Sequence, residues 1–168
     1  MPDQELIDAA QVLLDLCRQK TLKIATAESC TGGLLAATIT EIPGSSDVLD
    51  RGFVTYTNEA KQAMLGVKAK TLNSFGAVSR ETAEAMAQGA LSHAPVDLSA
   101  SITGIAGPGG GSPGKPVGLV HFVAASRRAQ LIHQERHFGD IGRAQVRRAS
   151  VLKALAMLRE LAEQEAPK

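Results

Sequence analysis

Leu22-Lys23-Ile24-Ala25-Thr26-Ala27-Glu28-Ser29-Cys30-Thr31-Gly32-Gly33 joins a short β-like run to a polar corner and two glycines. Residues 22–27 read as a strand, and the helical spacing that opens at Thr31-Gly32-Gly33 runs on to Ile42. A strand, a tight turn and a helix in this order expose a hydroxyl at the corner, where the backbone N–H groups of the helix start converge.

The flanking segments extend the pattern. Residues 3–20 place Leu6, Ile7, Ala10, Leu13, Leu14 and Cys17 on one stripe of an amphipathic helix. Pro43-Gly44-Ser45-Ser46 breaks the chain, residues 51–57 read as a second strand, and Asn58 as the cap of a short helix. Turns at Gly66 and Gly76 lead to Ser79, the expected cap of an alanine-rich helix over 80–94. Strands are expected at 98–103, 117–126 and 130–138, the last two as an antiparallel hairpin, before a final helix from about 141 to 163. Helices that precede and interleave the strands predict an α/β protein, a three-layer α/β/α sandwich with a mixed sheet. With neither repeat nor linker, residues 1–168 read as one domain.

Composition narrows the function. A net charge of +1, one tyrosine and no tryptophan supply little attraction or stacking surface for a nucleic acid, so none is expected as a partner. No run approaches the roughly 20 apolar residues of a membrane span, and the polar start is unlike a secretory signal, which predicts a cytoplasmic protein. Cys17 and Cys30 form neither a disulfide framework nor a zinc-ligand spacing, and no structural metal is expected. Arginine is concentrated at Arg143, Arg147 and Arg148, which suits a small anion.

Ser29 stands where a nucleophile could be exposed, although Gly-x-Ser-x-Gly is absent because Ala27 and Thr31 occupy the glycine positions. The commoner role of Ser29 or Thr31 here is to cap the helix, and Cys30 is a rival nucleophile or small core filling. A serine needs a base to attack an amide. None of His93, His121, His133 and His137 lies in a convincing base motif, whereas Lys61 follows a strand end close to Tyr56. A desolvated Lys61 would serve as base, while such a lysine is more often solvated. In the loop from Thr103 to Lys115, Pro116 replaces the hydroxyl residue of a phosphate-binding loop and no helix follows, so neither a triphosphatase nor a dinucleotide site is read there. A ligand-binding loop at a strand's carboxyl end and a plain surface connection both remain open. Arg143 and Arg147, one turn apart near a helix start, suit a phosphate, or form a salt-bridged surface.

Four blocks taken in order, Ala27-Glu28-Ser29-Cys30-Thr31-Gly32-Gly33, residues 51–61 from Arg51 to Lys61, Gly76-Ala77-Val78-Ser79 and Thr103-Gly104-Ile105-Ala106-Gly107-Pro108, resemble the CinA carboxy-terminal domain family. The resemblance implies deamidation of nicotinamide mononucleotide to nicotinate mononucleotide and ammonia in pyridine nucleotide salvage, without metal or cofactor. It implies Ser29 as nucleophile, completed by Tyr56 and Lys61. Glu28, Cys30, Thr31, Gly32, Gly33, Thr103, Gly104, Gly107, Arg143 and Arg147 are expected around the substrate, with the amides of residues 31–33 holding the oxyanion. The family's usual Gly-Asp-Arg appears here as Gly139-Asp140-Ile141-Gly142-Arg143, so the phosphate falls to Arg143 or to the glycine loop. Many members carry a further amino-terminal domain of molybdopterin-binding type, expected to be absent here. A related amide substrate, or a non-catalytic competence-associated partner domain, are the alternatives. A homodimer paired through the helix over 80–94 is also expected.

Overall fold

A computed structural model describes residues 2–168. Helix α1 (Gln4–Lys20) leads to β1 (Ile24–Glu28), α2 (Leu34–Thr40), β2 (Leu49–Val54), α3 (Asn58–Leu65), α4 (Ala69–Phe75) and α5 (Arg80–His93). β3 (Leu98–Gly104), β4 (Leu119–Ser126), β5 (Leu131–His137) and α6 (Arg143–Gln164) complete the chain. The strands form one mixed sheet in the order β2-β1-β3-β4-β5, parallel from β2 through β1 to β3 and antiparallel from β3 to β5.

Side-chain alternation along the strands divides the interior into two cores. Leu98, Ala100 and Ile102 of β3 pack with α1, α2 and α6, while Ala25 and Ala27 of β1 pack with α5. This is the three-layer α/β/α sandwich. The α5 side of β3 is polar yet fully buried: Ser99 Oγ donates to Ala87 O at 2.8 Å, Ser101 Oγ to Ala83 O at 2.6 Å and Thr103 Oγ1 to Ala77 O at 2.8 Å. Each buried hydroxyl therefore keeps a partner, as burial of a polar group requires.

Several expectations change. The alanine face of α5 lies against the sheet, with Ala83, Met86, Ala87 and Ala90 fully buried, so it is no free surface for pairing with a second copy. α4 appears where only turns were read, because seven residues carrying one buried side chain, Leu72, have too little periodicity to show. Thr57, not Asn58, caps α3: its extended backbone lets the hydroxyl accept from Ala60 N at 3.0 Å. The second strand starts at Leu49 and ends at Val54, leaving Thr55 and Tyr56 beyond the ladder. α6 begins at Arg143.

Where α3 meets α5, Gly89 lies so close to Leu65 that an added Cβ would overlap its carbonyl oxygen. Gly89→Ala is expected to destabilise the protein by about 1–3 kcal/mol through overpacking, read as a lowered midpoint in thermal unfolding.

Candidate active site

β1 lies between its parallel neighbours β2 and β3, so the chain leaves β1 for one side and returns on the other. Crevices at the carboxyl ends of such strands are where open α/β sheets hold ligands. A cavity of about 240 Å³ lies there, lined by Ser29 after β1, Tyr56 after β2, Thr103 to Gly107 at the end of β3 and just beyond it, Ala77 and Val78 before α5, and Lys61 and Arg143.

Ser29 is held by its own amide, which donates to Ile102 O at 2.9 Å, and by its carbonyl, which accepts from Gly32 N at 3.0 Å. Its hydroxyl accepts from Lys61 Nζ at 2.9 Å. Nζ also donates to Thr55 O at 2.8 Å. Lys61 is only 1% exposed, and burial lowers its pKa below the usual lysine value. With no carboxylate within 4 Å among the described residues, nothing there compensates that loss of hydration by ion pairing. A depressed lysine in hydrogen-bond reach of a serine is the arrangement of a base and its nucleophile.

Burial raises the Cys30 thiol to about 12 and so keeps it protonated beside Ser29, which removes it as a rival thiolate nucleophile. None of the four histidines lines this cavity. His121 and His133 face each other at 3.0 Å on β4 and β5, so a Ser-His-Asp arrangement is not formed. Among the described residues no cluster of three or more His, Cys, Asp and Glu is arranged to hold a metal.

Other site residues are placed differently from the sequence expectation. Tyr56 lines the same cavity as Lys61 and Ser29 but is half exposed, and its hydroxyl accepts from Arg143 Nη2 at 2.6 Å rather than bonding either of them. Arg143 also donates to Gly107 O at 2.8 Å, so one guanidinium spans the mouth of the cavity. Glu28 is fully buried and does not line the cavity. Its carboxylate caps α2, accepting from Leu35 N at 2.9 Å, Ala36 N at 3.1 Å and Thr31 Oγ1 at 2.7 Å. Neither Ser29 nor Thr31 caps that helix, because Gly33 holds the cap position and the Glu28 carboxylate reaches the free amides first. Thr31, Gly32 and Gly33 lie outside the cavity lining, and the Gly32 amide is engaged within the turn. Among the lining residues, Cys30 follows Ser29 directly, and its amide is not engaged in a backbone–backbone bond.

The three arginines in the first two turns of α6 divide the expected phosphate role. Arg143 faces the cavity. Arg147 lies outside its lining and donates from Nε to Cys30 O at 3.2 Å and from Nη2 to Thr31 O at 3.1 Å. Arg148 pairs with Asp3 and Glu5 and fastens α6 to the start of α1. The structural part of Arg147 leaves no spacing signal, since its partners lie more than a hundred residues away, whereas Glu28 caps the helix that directly follows it.

Fold and site together define a three-layer α/β protein with a buried serine–lysine pair at the carboxyl edge of its sheet. The CinA C-terminal domain model matches residues 7–162, and the chain belongs to that family. A putative competence-damage inducible protein of Caldicellulosiruptor bescii is 46% identical over 158 residues, covering 94% of this chain and 38% of that protein. A CinA-like protein of Leptospira borgpetersenii is 50% identical over 131 residues, covering 78% and 31%. The chain thus spans about a third of the length of these curated relatives. The crystal structure of competence/damage inducible protein CihA from Agrobacterium tumefaciens is 51% identical, with a TM-score of 0.93 and 98% of each chain covered. A CinA superfamily protein from Klebsiella pneumoniae is 33% identical, with a TM-score of 0.90 and coverage of 95% of this chain and 99% of that one.

Proposed function

We propose that the chain is an amidohydrolase that deamidates nicotinamide mononucleotide, with Ser29 as nucleophile and Lys61 as base. The observation that carries this reading is the 2.9 Å contact between Lys61 Nζ and Ser29 Oγ, with the lysine fully desolvated. In its neutral form Lys61 takes the Ser29 proton as the hydroxyl oxygen attacks the carboxamide carbon. The Cys30 amide stabilises the oxyanion. Lysine then returns the proton to the leaving nitrogen, ammonia departs and an acyl-enzyme ester remains. Water, deprotonated by the same lysine, hydrolyses the ester and frees nicotinate mononucleotide and Ser29. Arg143 at the cavity mouth is the cation that binds the 5′-phosphate, so binding energy remote from the amide orients the ring. Tyr56, bonded to Arg143, sets that guanidinium rather than the base.

The reading is tested by ammonia release from nicotinamide mononucleotide, with free nicotinamide as control, in the presence of chelator. Release specific to the nucleotide, unaffected by chelator and abolished in Ser29→Ala, is expected. No release from folded wild-type protein, or undiminished release from Ser29→Ala, overturns it.

A further inference from the structure

Arg147 is half-buried on α6 and touches neither the cavity nor any carboxylate within 4 Å among the described residues. Both its recorded bonds go to consecutive carbonyls of the turn that follows Ser29, those of Cys30 and Thr31. The same turn is closed from inside by Gly32 N donating to Ser29 O, and anchored behind by the Glu28 carboxylate. C=O and N–H of a trans peptide point in opposite directions, so drawing the Cys30 carbonyl toward Arg147 turns the Thr31 N–H away from it.

We propose that Arg147 is a positioning residue for the nucleophile turn. Its two-pronged hold on the Cys30 and Thr31 carbonyls fixes the turn that carries the Ser29 hydroxyl and the Cys30 amide, and it does not touch substrate. The inference rests on the amidase reading for its kinetic consequence, while the clamp itself is independent of the substrate.

The test compares wild type, Arg147→Lys and Arg147→Met on nicotinamide mononucleotide and on nicotinamide riboside, which lacks the phosphate, together with amide hydrogen exchange across residues 29–34. The expected result is a fall in kcat of about 10- to 100-fold on either compound that wild type turns over, because an ill-placed oxyanion donor costs that order. KM stays within about twofold, since no substrate contact is removed. Exchange at the turn rises while the amides of β3 and α5 keep wild-type protection. Arg147→Lys, able to reach one carbonyl instead of two, shows the same pattern more weakly and decides the matter if the methionine variant does not fold. A raised KM confined to the phosphorylated compound would return Arg147 to phosphate binding and overturn the proposal, as would unchanged exchange at residues 29–34 or a loss that tracks global unfolding. If wild type releases no ammonia from either compound, the amidase reading falls, and the exchange measurement alone decides whether the clamp exists.

Discussion

Lys61→Met is expected to lower turnover by about 10⁴-fold while leaving the fold at least as stable as wild type. General base catalysis contributes on the order of 10²–10⁴, and a serine hydroxyl without a base is a poor nucleophile, so the full range is lost together. Methionine fills the lysine's apolar path without a buried amine. Removing that amine leaves the Thr55 carbonyl and the Ser29 hydroxyl short of one donor, but also removes the cost of desolvating an ammonium. The pH dependence separates the two consequences. Because burial lowers the Lys61 pKa in the folded state, the unfolded chain binds the additional proton between that lowered value and the ordinary 10.5. Stability from this group therefore rises with pH through that window and is constant on either side of it, a slope that disappears in Lys61→Met. Wild-type kcat/KM should rise as pH passes through the lowered folded-state value, where Lys61 becomes neutral, and level off above it, reporting an apparent pKa below 10.5. A flat profile, or a methionine variant within tenfold of wild type, would remove Lys61 from the mechanism.

Glu28→Ala is expected to destabilise the protein by about 2–4 kcal/mol, several degrees or more in thermal midpoint for a chain of this size. The substitution strips the acceptor from Leu35 N, Ala36 N and the Thr31 hydroxyl at once, in a site closed to water. It also removes a negative charge from the positive end of α2. Glu28→Gln keeps an acceptor oxygen and is expected to lose about half as much, whereas equal losses in the two variants would show that the charge, not the hydrogen bonds, holds the helix start. A stable Glu28→Ala protein in thermal unfolding would contradict the capping role. Its activity should suffer beyond the lost stability, because Glu28 is the residue before Ser29 and anchors the turn from behind.

Much of the architecture was legible in the chain. Short β-like runs bounded by turn residues marked the strands, an alanine-rich segment behind Ser79 marked α5, and period-3.6 stripes marked α1 and α6, since a helix stripe is a local consequence of which face is buried. The corner at Ser29 was legible for the same reason: a strand, a polar residue and two glycines have few conformations open to them. The depth of Lys61 was not, because α3 alone gives it the look of a solvated helix residue and only packing beneath the end of β2 dries its amine. Nor was the division of labour among the arginines of α6, which begin as one basic run and end at the cavity mouth, on the nucleophile turn and on α1.

The sequence by itself determined the order of layers, the position of the nucleophile corner and the residue types available to the site, because each follows from periodicity and local backbone preference. Tertiary structure alone decided which of those residues meet. Lys61 approaches Ser29 across 32 positions of chain and Arg147 reaches Cys30 across 117. Glu28 faces inward to cap a helix instead of a substrate, because the free amides of α2 are its nearest donors once the turn has closed. Contacts of this kind are fixed by how the layers pack, and packing carries no periodicity along the chain.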